Sequence, residues 1–249
     1  AANRHLGKSD REGAGVLSAA QRHTHFLDSP RMTAVLGHSD FTFADVKAQP
    51  TSVYLVLPPD RLATYARWLR LMLAQGLTDL ARAPASPTRS VLFLLDEFAA
   101  LGRLEPVERA MGLMAGYDLQ LWPILQDMHQ LRALYGERAG TFLSNAGVIQ
   151  TFGVNDHATS DMLSRTIGDT TLEYATLSTS RGTGWGDNRA GPSESISTHV
   201  TARRLVTPDE IMRMPTDTLL LLRQGERPLW AGKVRYYDQR EFADLFDPA

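Results

Sequence analysis

The residues best equipped for chemistry stand at the end of a short apolar run. Val91-Leu92-Phe93-Leu94-Leu95 is followed directly by Asp96 and Glu97. Two adjacent carboxylates at a strand tip meet the needs of phosphoryl transfer. The first holds the magnesium side of a bound nucleotide, usually through water, and the second takes a proton from the attacking water and aligns it on the terminal phosphate. The same pair also serves as a solvated turn that merely ends a strand, and the pattern alone leaves both readings open. The next apolar run, Leu119 to Leu125, ends in Gln126-Asp127. A Gln there can reach a terminal phosphate and register its loss, while Asp127 has the character of a helix cap. A third run ends at Phe152-Gly153-Val154-Asn155-Asp156 and brings Asn155 to the same expected rim. Runs that each deliver polar groups to one edge support one another.

Two other patterns are decoys. Gly7-Lys8-Ser9 resembles the end of a phosphate-binding loop, but that motif needs a glycine five positions earlier, where Ala2 stands, and no strand precedes it. Gly182, Gly184 and Gly186 resemble a dinucleotide fingerprint, but Asp187 occupies the third glycine position. The seven histidines show no metal-ligand spacing; His23 and His25, two apart, fall on different faces of a helix, and His129 lies among polar helix residues.

The elements that must position Asp96, Glu97 and Gln126 can be read from periodicity. Val53 to Leu57 is a strand-length run ended by Pro58-Pro59-Asp60, and Asp60 is the expected cap of a helix with Leu62, Tyr65, Leu69, Leu73 and Leu77 on one face. After the loop 83–90 comes the run Val91 to Leu95. Helices are expected over 104–116, 126–135 and 137–145, a strand over 148–152, and a helix capped by Asn155 running to about Gly168. Continuous apolar strands alternating with helices predict an open parallel sheet covered on both faces, with ligands at the carboxyl ends of its strands. From Thr170 to Ala202 the sequence is rich in Ser, Thr and Gly, and Gly182 to Ser195 is expected to be mobile. Thr207-Pro208-Asp209-Glu210 opens a short helix, and two strands joined around Gly225, Thr218 to Arg223 and Leu229 to Tyr237, close the domain. Arg11 to Leu27 reads as a small helical piece packed on something else.

Composition narrows the function. The chain has 249 residues and a net charge of −2, enough for a real core and without a global field that would draw it to nucleic acid or membrane. It has no cysteine, which excludes disulfides, thiolate metal sites and a cysteine nucleophile. No apolar run approaches the roughly 20 residues of a membrane span. The first residues read as a cut inside a longer protein.

Taken together, LLDEFAALGRL (94–104), MAGYDLQLWPILQDMHQL (114–131) and LYGERAGTFLSNAGVIQTFGVND (134–156) resemble the TraG/VirD4 family, the coupling proteins of conjugation and type IV secretion. SDRE and AQRHTHFLDSPRM near the start, with VTPDEI and GERPLWAGKVRYY near the end, extend the likeness over nearly the whole chain. The resemblance implies an α/β, RecA-like P-loop NTPase-type parallel sheet flanked by helices, here lacking the P-loop strand. It makes residues 1–45 the end of an all-α insertion domain and 46–249 the C-terminal part of the nucleotide-binding domain. It implies ATP and Mg²⁺ as cofactors, Asp96 as the magnesium-side, nucleotide-binding acid, Glu97 as the catalytic carboxylate and Gln126 as the γ-phosphate sensor. The partners it implies are a relaxase-DNA complex or secreted effector proteins, single-stranded DNA, components of the secretion channel and, as a homo-hexamer, further copies of the same protein. The location it implies is the cytoplasmic face of a bacterial inner membrane, this piece itself being soluble.

In such proteins a P-loop and a membrane anchor precede the segment matched here, so the chain alone is expected to bind ATP poorly and to hydrolyse it negligibly. Related motors carry an arginine finger near Met114 to Gly116, where this chain has none; Arg132 and Arg138 are weak substitutes. Two other classes stay open on the sequence: a non-catalytic docking module for substrate or partner, and an unrelated α/β enzyme that uses Asp96 and Glu97 on a phosphorylated metabolite.

Overall fold

The computed structural model describes residues 9–84, 90–180 and 193–246. The chain divides into two compact units that part between Ala146 and Gly147.

The first unit opens with helix α1 (Asp10–Thr24), started by a reciprocal capping box between Ser9 and Glu12. None of its residues is buried. Short helices α2 (Pro30–Leu36) and α3 (Phe43–Ala48) lead to the long helix α4 (Pro59–Arg82). Pro59 starts α4 because its missing N–H would have no intrahelical partner there. The expected cap Asp60 instead lies within the first turn, and Pro58 holds the cap position. Trp68, Leu69, Leu73, Leu77 and Leu80 recur at helical spacing and are buried. Gly76 lets α3 close on this stripe, since a Cβ there would lie 3.0 Å from the Phe43 ring. Lys47 of α3 is buried and donates to the carbonyls of Tyr117 at 3.0 Å and Ala83 at 3.5 Å. Ala83 is the C-cap of α4, so the cation meets the negative end of the helix dipole.

Strand β1 (Val91–Leu95) pairs in parallel with β2 (Leu119–Pro123), Leu92 opposite Gln120 and Leu94 opposite Trp122. Helix α5 (Glu105–Leu113) makes the crossover, and α6 (Met128–Tyr135) and α7 (Ala139–Ser144) follow β2. One face of this pair buries Val91, Leu95 and Leu119. On the other, Leu92, Leu94 and Trp122 are about half exposed. The expected strand Val53 to Leu57 has no ladder partner among the described residues and is irregular. It keeps the alternation of a strand, with Leu55 and Leu57 half-buried and Tyr54 and Val56 exposed, but an apolar run becomes a strand only where a neighbour supplies hydrogen bonds.

In the second unit, β3 (Val148–Thr151) pairs antiparallel with β6 (Thr218–Arg223), which pairs antiparallel with β7 (Leu229–Gly232). The expected parallel sheet is present as the pair β1 and β2, flanked by helices, whereas β3, expected in the same sheet, pairs antiparallel with β6. A continuous apolar run such as Leu219 to Leu222 reports burial on both faces and says nothing about strand direction. Helices α8 (His157–Ile167) and α9 (Pro208–Met212) supply Leu163 and Ile211, which form the core with Leu220 and Leu222. The side chain of Asp156, not Asn155, caps α8 by accepting from Thr159 N–H at 2.8 Å.

The Ser- and Thr-rich stretch contains a correction. Residues 169–180 and 193–204 form a long antiparallel ribbon, β4 (Asp169–Ser180) and β5 (Ser193–Arg204), its root tied by Arg204 to Asp169 at 2.9 Å. Of the segment expected to be mobile, Ser193 to Ser195 lie in β5, and Gly182 to Pro192 lie outside the described residues. The β-branched and aromatic residues of Thr170 to Thr179 carried the strand signal that the Ser, Thr and Gly content masked.

Phe98 is fully buried and packs against Tyr135 and Phe142, with ring centroids 6.1 and 5.9 Å away. Burial pushes the Tyr135 phenol above its ordinary range, and its oxygen accepts from Leu104 N–H at 3.0 Å. Phe98→Ala is expected to cost about 3–5 kcal/mol of unfolding free energy, checked by urea denaturation of the chain; a loss below about 1 kcal/mol would show that the aromatic cluster does not organise this unit.

The capping box of α9 gives a second expectation. The backbone and side chain of Thr207 hydrogen-bond the Glu210 carboxylate and hold it below its ordinary range. Its contribution is therefore present above the unfolded pKa and lost as pH falls through the lower folded value. Glu210→Gln is expected to weaken the loss of stability on acidification, read from melting curves between neutral and strongly acid pH.

Candidate functional site

The tips of β1 and β2 are joined by two backbone hydrogen bonds to a single residue. Ile124 N–H donates to Leu95 O at 3.0 Å, and Ile124 O accepts from Phe98 N–H at 3.1 Å. Asp96 and Glu97 lie between the two anchored positions and project as an exposed turn. The chain makes this turn only by placing Glu97 in the left-handed region, at φ 48° and ψ 41°, which a non-glycine residue adopts at a cost of about 1–2 kcal/mol. Strain of this kind persists where the surroundings over-determine it. Here they are the Ile124 bonds on one side and, on the other, the buried 3₁₀ turn Phe98–Leu101.

Gln126 reaches this turn. Its Nε2 donates to both Glu97 carboxylate oxygens, at 3.3 and 3.4 Å. The backbone of Gln126 is fixed in turn, its N–H donating to Gln130 Oε1 at 3.2 Å, while Asp127 caps α6 by accepting from Gln130 N–H at 2.8 Å. Asp96 Oδ1 accepts from Glu97 N–H at 3.1 Å. The structure thus brings together Asp96, Glu97 and Gln126, the three residues singled out from sequence. Asn155 belongs to the second unit and follows the antiparallel strand β3.

Three supporting residues went unseen in the sequence. Gln130 holds Gln126; its signal was the Asp127-x-x-Gln130 spacing of a capping box. Arg70 of α4 donates to Leu101 O at 2.7 Å and so backs the turn. Gly102, at φ 69°, follows that turn, and a Cβ there would meet Arg70 Nη1 at 3.1 Å. Arg138 is engaged elsewhere, 3.1 Å from Glu108. Among the described residues, no group of three or more His, Asp or Glu is placed to hold a metal by protein ligands alone, and no helix is long and apolar enough to cross a membrane. The decoy residues Gly7, Lys8 and Gly182 to Gly186 lie outside the described residues.

The fold defines the class. The chain superposes on the plasmid coupling protein TrwB in complex with the non-hydrolysable GTP analogue GDPNP with a TM-score of 0.69 at 18% identity, over 90% of this chain and 50% of that one. TrwB in complex with ADP and Mg²⁺ matches with a TM-score of 0.68 over the same shares. The chain shares the α/β, RecA-like fold of these proteins, with the parallel pair β1 and β2 flanked by helices. The chain belongs to the family of type IV secretory system conjugative DNA transfer proteins, the TraG/VirD4 group, whose sequence model matches residues 2–248. Protein VirD4 of Agrobacterium fabrum is 33% identical over 88% of this chain and 32% of its own length. The probable conjugal transfer protein TraG of Sinorhizobium fredii is 30% identical over 92% and 35%. The chain therefore spans about a third of the length of the curated relatives it matches.

The left-handed turn leads to an expectation about stability. At position 97 the usual order of Ala over Gly should invert, Glu97→Gly being more stable than Glu97→Ala by about 1 kcal/mol. Thermal and urea unfolding of the two variants measure it, and equal stability would mean that position 97 does not hold a left-handed backbone.

Proposed function

We propose that this chain is the carboxylate-bearing part of an ATP-driven motor that moves a conjugative or secreted substrate into a type IV secretion channel. The observation that carries the reading is the Gln126–Glu97 contact at the tips of adjacent parallel strands. TrwB, whose fold this chain shares, was obtained with ADP and Mg²⁺ and with a non-hydrolysable ATP analogue.

The donor chemistry fits the group. Asp96 offers an exposed, hard carboxylate oxygen at the strand tip, and Mg²⁺ in nucleotide sites takes one or two carboxylates together with phosphate oxygens and water. Asp96 would hold Mg²⁺, which would supply neutralisation of the phosphate charge. Glu97 accepts a proton from the attacking water and aligns it. Gln126 holds the Glu97 carboxylate in place and exchanges that bond for the terminal phosphate when ATP is bound, so it reports the presence of the phosphate to α6. The half-exposed Leu92, Leu94 and Trp122, and the unpaired Val53 to Leu57, are surfaces that the remainder of a longer α/β domain covers, because parallel sheets are buried on both faces. Residues 1–45 are the end of the all-α insertion domain and 46–249 the C-terminal part of the RecA-like domain. In the longer protein the unit works as a homo-hexamer at the cytoplasmic face of the inner membrane, where it receives a relaxase-DNA complex or effector proteins and handles single-stranded DNA.

In the full-length protein, Glu97→Gln is expected to lower ATP turnover about 10²–10⁴-fold while leaving the affinity for a non-hydrolysable ATP analogue nearly unchanged. Single-turnover hydrolysis with radiolabelled ATP measures the first and equilibrium titration the second. Hydrolysis near the wild-type rate would remove Glu97 from the chemistry.

A further inference from the structure

Helix α6 meets the Asp96-Glu97 turn at both of its ends. At its start, Asp127 caps it by accepting from Gln130 N–H at 2.8 Å, and the residue before the cap, Gln126, donates from its side chain to both Glu97 oxygens. At its end, Tyr135 stacks on Phe98, the residue after Glu97, and accepts from Leu104 N–H at 3.0 Å. Met128, Leu131 and Tyr135 are buried and share one face of the helix at spacings of three and four residues. The helix is therefore not free to roll, and the backbone from which Gln126 reaches Glu97 is set by α6.

Gln130 supplies the remaining tie, and its geometry is unusual for this chain. In a capping box the side chain three residues beyond the cap accepts from the backbone N–H of the cap residue itself. Glu12 accepts in this way from Ser9 N–H, Asp45 from Thr42 N–H and Glu210 from Thr207 N–H. At α6 the spacing is the same, Asp127 to Gln130, but Gln130 Oε1 accepts from one residue earlier, Gln126 N–H, at 3.2 Å. The bond has moved from the residue that starts the helix to the residue that carries the amide facing Glu97. As a helix cap the displaced bond has no advantage over the ordinary one. As a support for Gln126 it does, because it fixes the Gln126 peptide plane. That matters because the Gln126 amide spans the Glu97 oxygens at 3.3 and 3.4 Å, longer than the usual range of about 2.7–3.2 Å, so a small displacement of the Gln126 backbone breaks the contact.

We infer that Gln130 is a positioning residue for hydrolysis: through Oε1 it holds the Gln126 backbone where the Gln126 amide bears on Glu97. The inference rests on the proposed roles of Glu97 and Gln126. It requires at position 130 a hydrogen-bond acceptor at the end of a side chain of this length. The requirement falls on turnover and not on nucleotide affinity, because the bonds of Gln130 run to Gln126 and Asp127.

The test is steady-state ATP turnover of the full-length protein, alongside equilibrium titration of a non-hydrolysable ATP analogue. Gln130→Leu removes the acceptor with little change of shape, and it is expected to lower kcat about tenfold while leaving the analogue affinity unchanged. Gln130→Glu restores the acceptor and should recover most of the turnover. In a Gln126→Ala background Gln130→Leu should cost nothing further, because residues that act through one group are not additive. Circular dichroism and melting temperatures establish that each variant is folded, and Gln130→Met repeats the removal of the acceptor if the leucine variant is unstable. Turnover of Gln130→Leu near the wild-type rate, with Gln126→Ala impaired, overturns the inference and leaves the motor reading intact. A full further loss in the Gln126→Ala background, or a Gln130→Glu variant as slow as Gln130→Leu, also overturns it. Unimpaired turnover of both Gln126→Ala and Glu97→Gln removes the chemistry from this turn, and the inference then fails together with the motor reading.

Discussion

Ile124 makes one pair of backbone hydrogen bonds on which the arrangement around β1 depends. By donating to Leu95 and accepting from Phe98, it pins the chain on both sides of Asp96 and Glu97 and leaves those two residues no room in the ladder. Backbone groups inside a protein must find partners, and here the partners of positions 95 and 98 are fixed by one residue of the neighbouring strand. The carboxylates are therefore thrust into solvent at the strand tip, and the left-handed backbone of Glu97 follows from the geometry. Gln126 lies two residues beyond Ile124, so the same bonds that expose Glu97 also set the distance from which Gln126 reaches it.

The packing behind the turn makes that geometry rigid. Phe98 is sealed among Tyr135 and Phe142, and Tyr135 is held by the Leu104 amide. The 3₁₀ turn therefore cannot relax without opening an aromatic core. Arg70 closes the far end of the turn at Leu101. These contacts offset the cost of a strained residue, as expected where a backbone outlier is kept for what its side chain does. Gln126 is itself tied to α6, its N–H donating to the Gln130 side chain while the Gln130 N–H donates to Asp127.

What was legible in the sequence was local or periodic. The stripe of α4, the caps at Asp127 and Thr207, the strand ending in Asp96-Glu97 and the Gln126 at the tip of the next strand depend on neighbours within a few residues. What was not legible depends on contacts far apart in the chain. The antiparallel direction of β3, the unpaired state of Val53 to Leu57 and the burial of Lys47 against Tyr117 and Ala83 are decided by partners that periodicity does not name. The cap of α8 at Asp156 rather than Asn155 was a one-residue error between two good caps.

The central claim is that Asp96, Glu97 and Gln126 face the reacting phosphate of ATP. An experimental structure of the full-length protein with Mg²⁺ and a non-hydrolysable ATP analogue tests it most directly. The account predicts the terminal phosphate within hydrogen-bond reach of the Gln126 amide, at about 2.7–3.2 Å, with Asp96 on the magnesium side and Glu97 turned toward the line of attack. A nucleotide bound with its terminal phosphate away from the tips of β1 and β2 would contradict it.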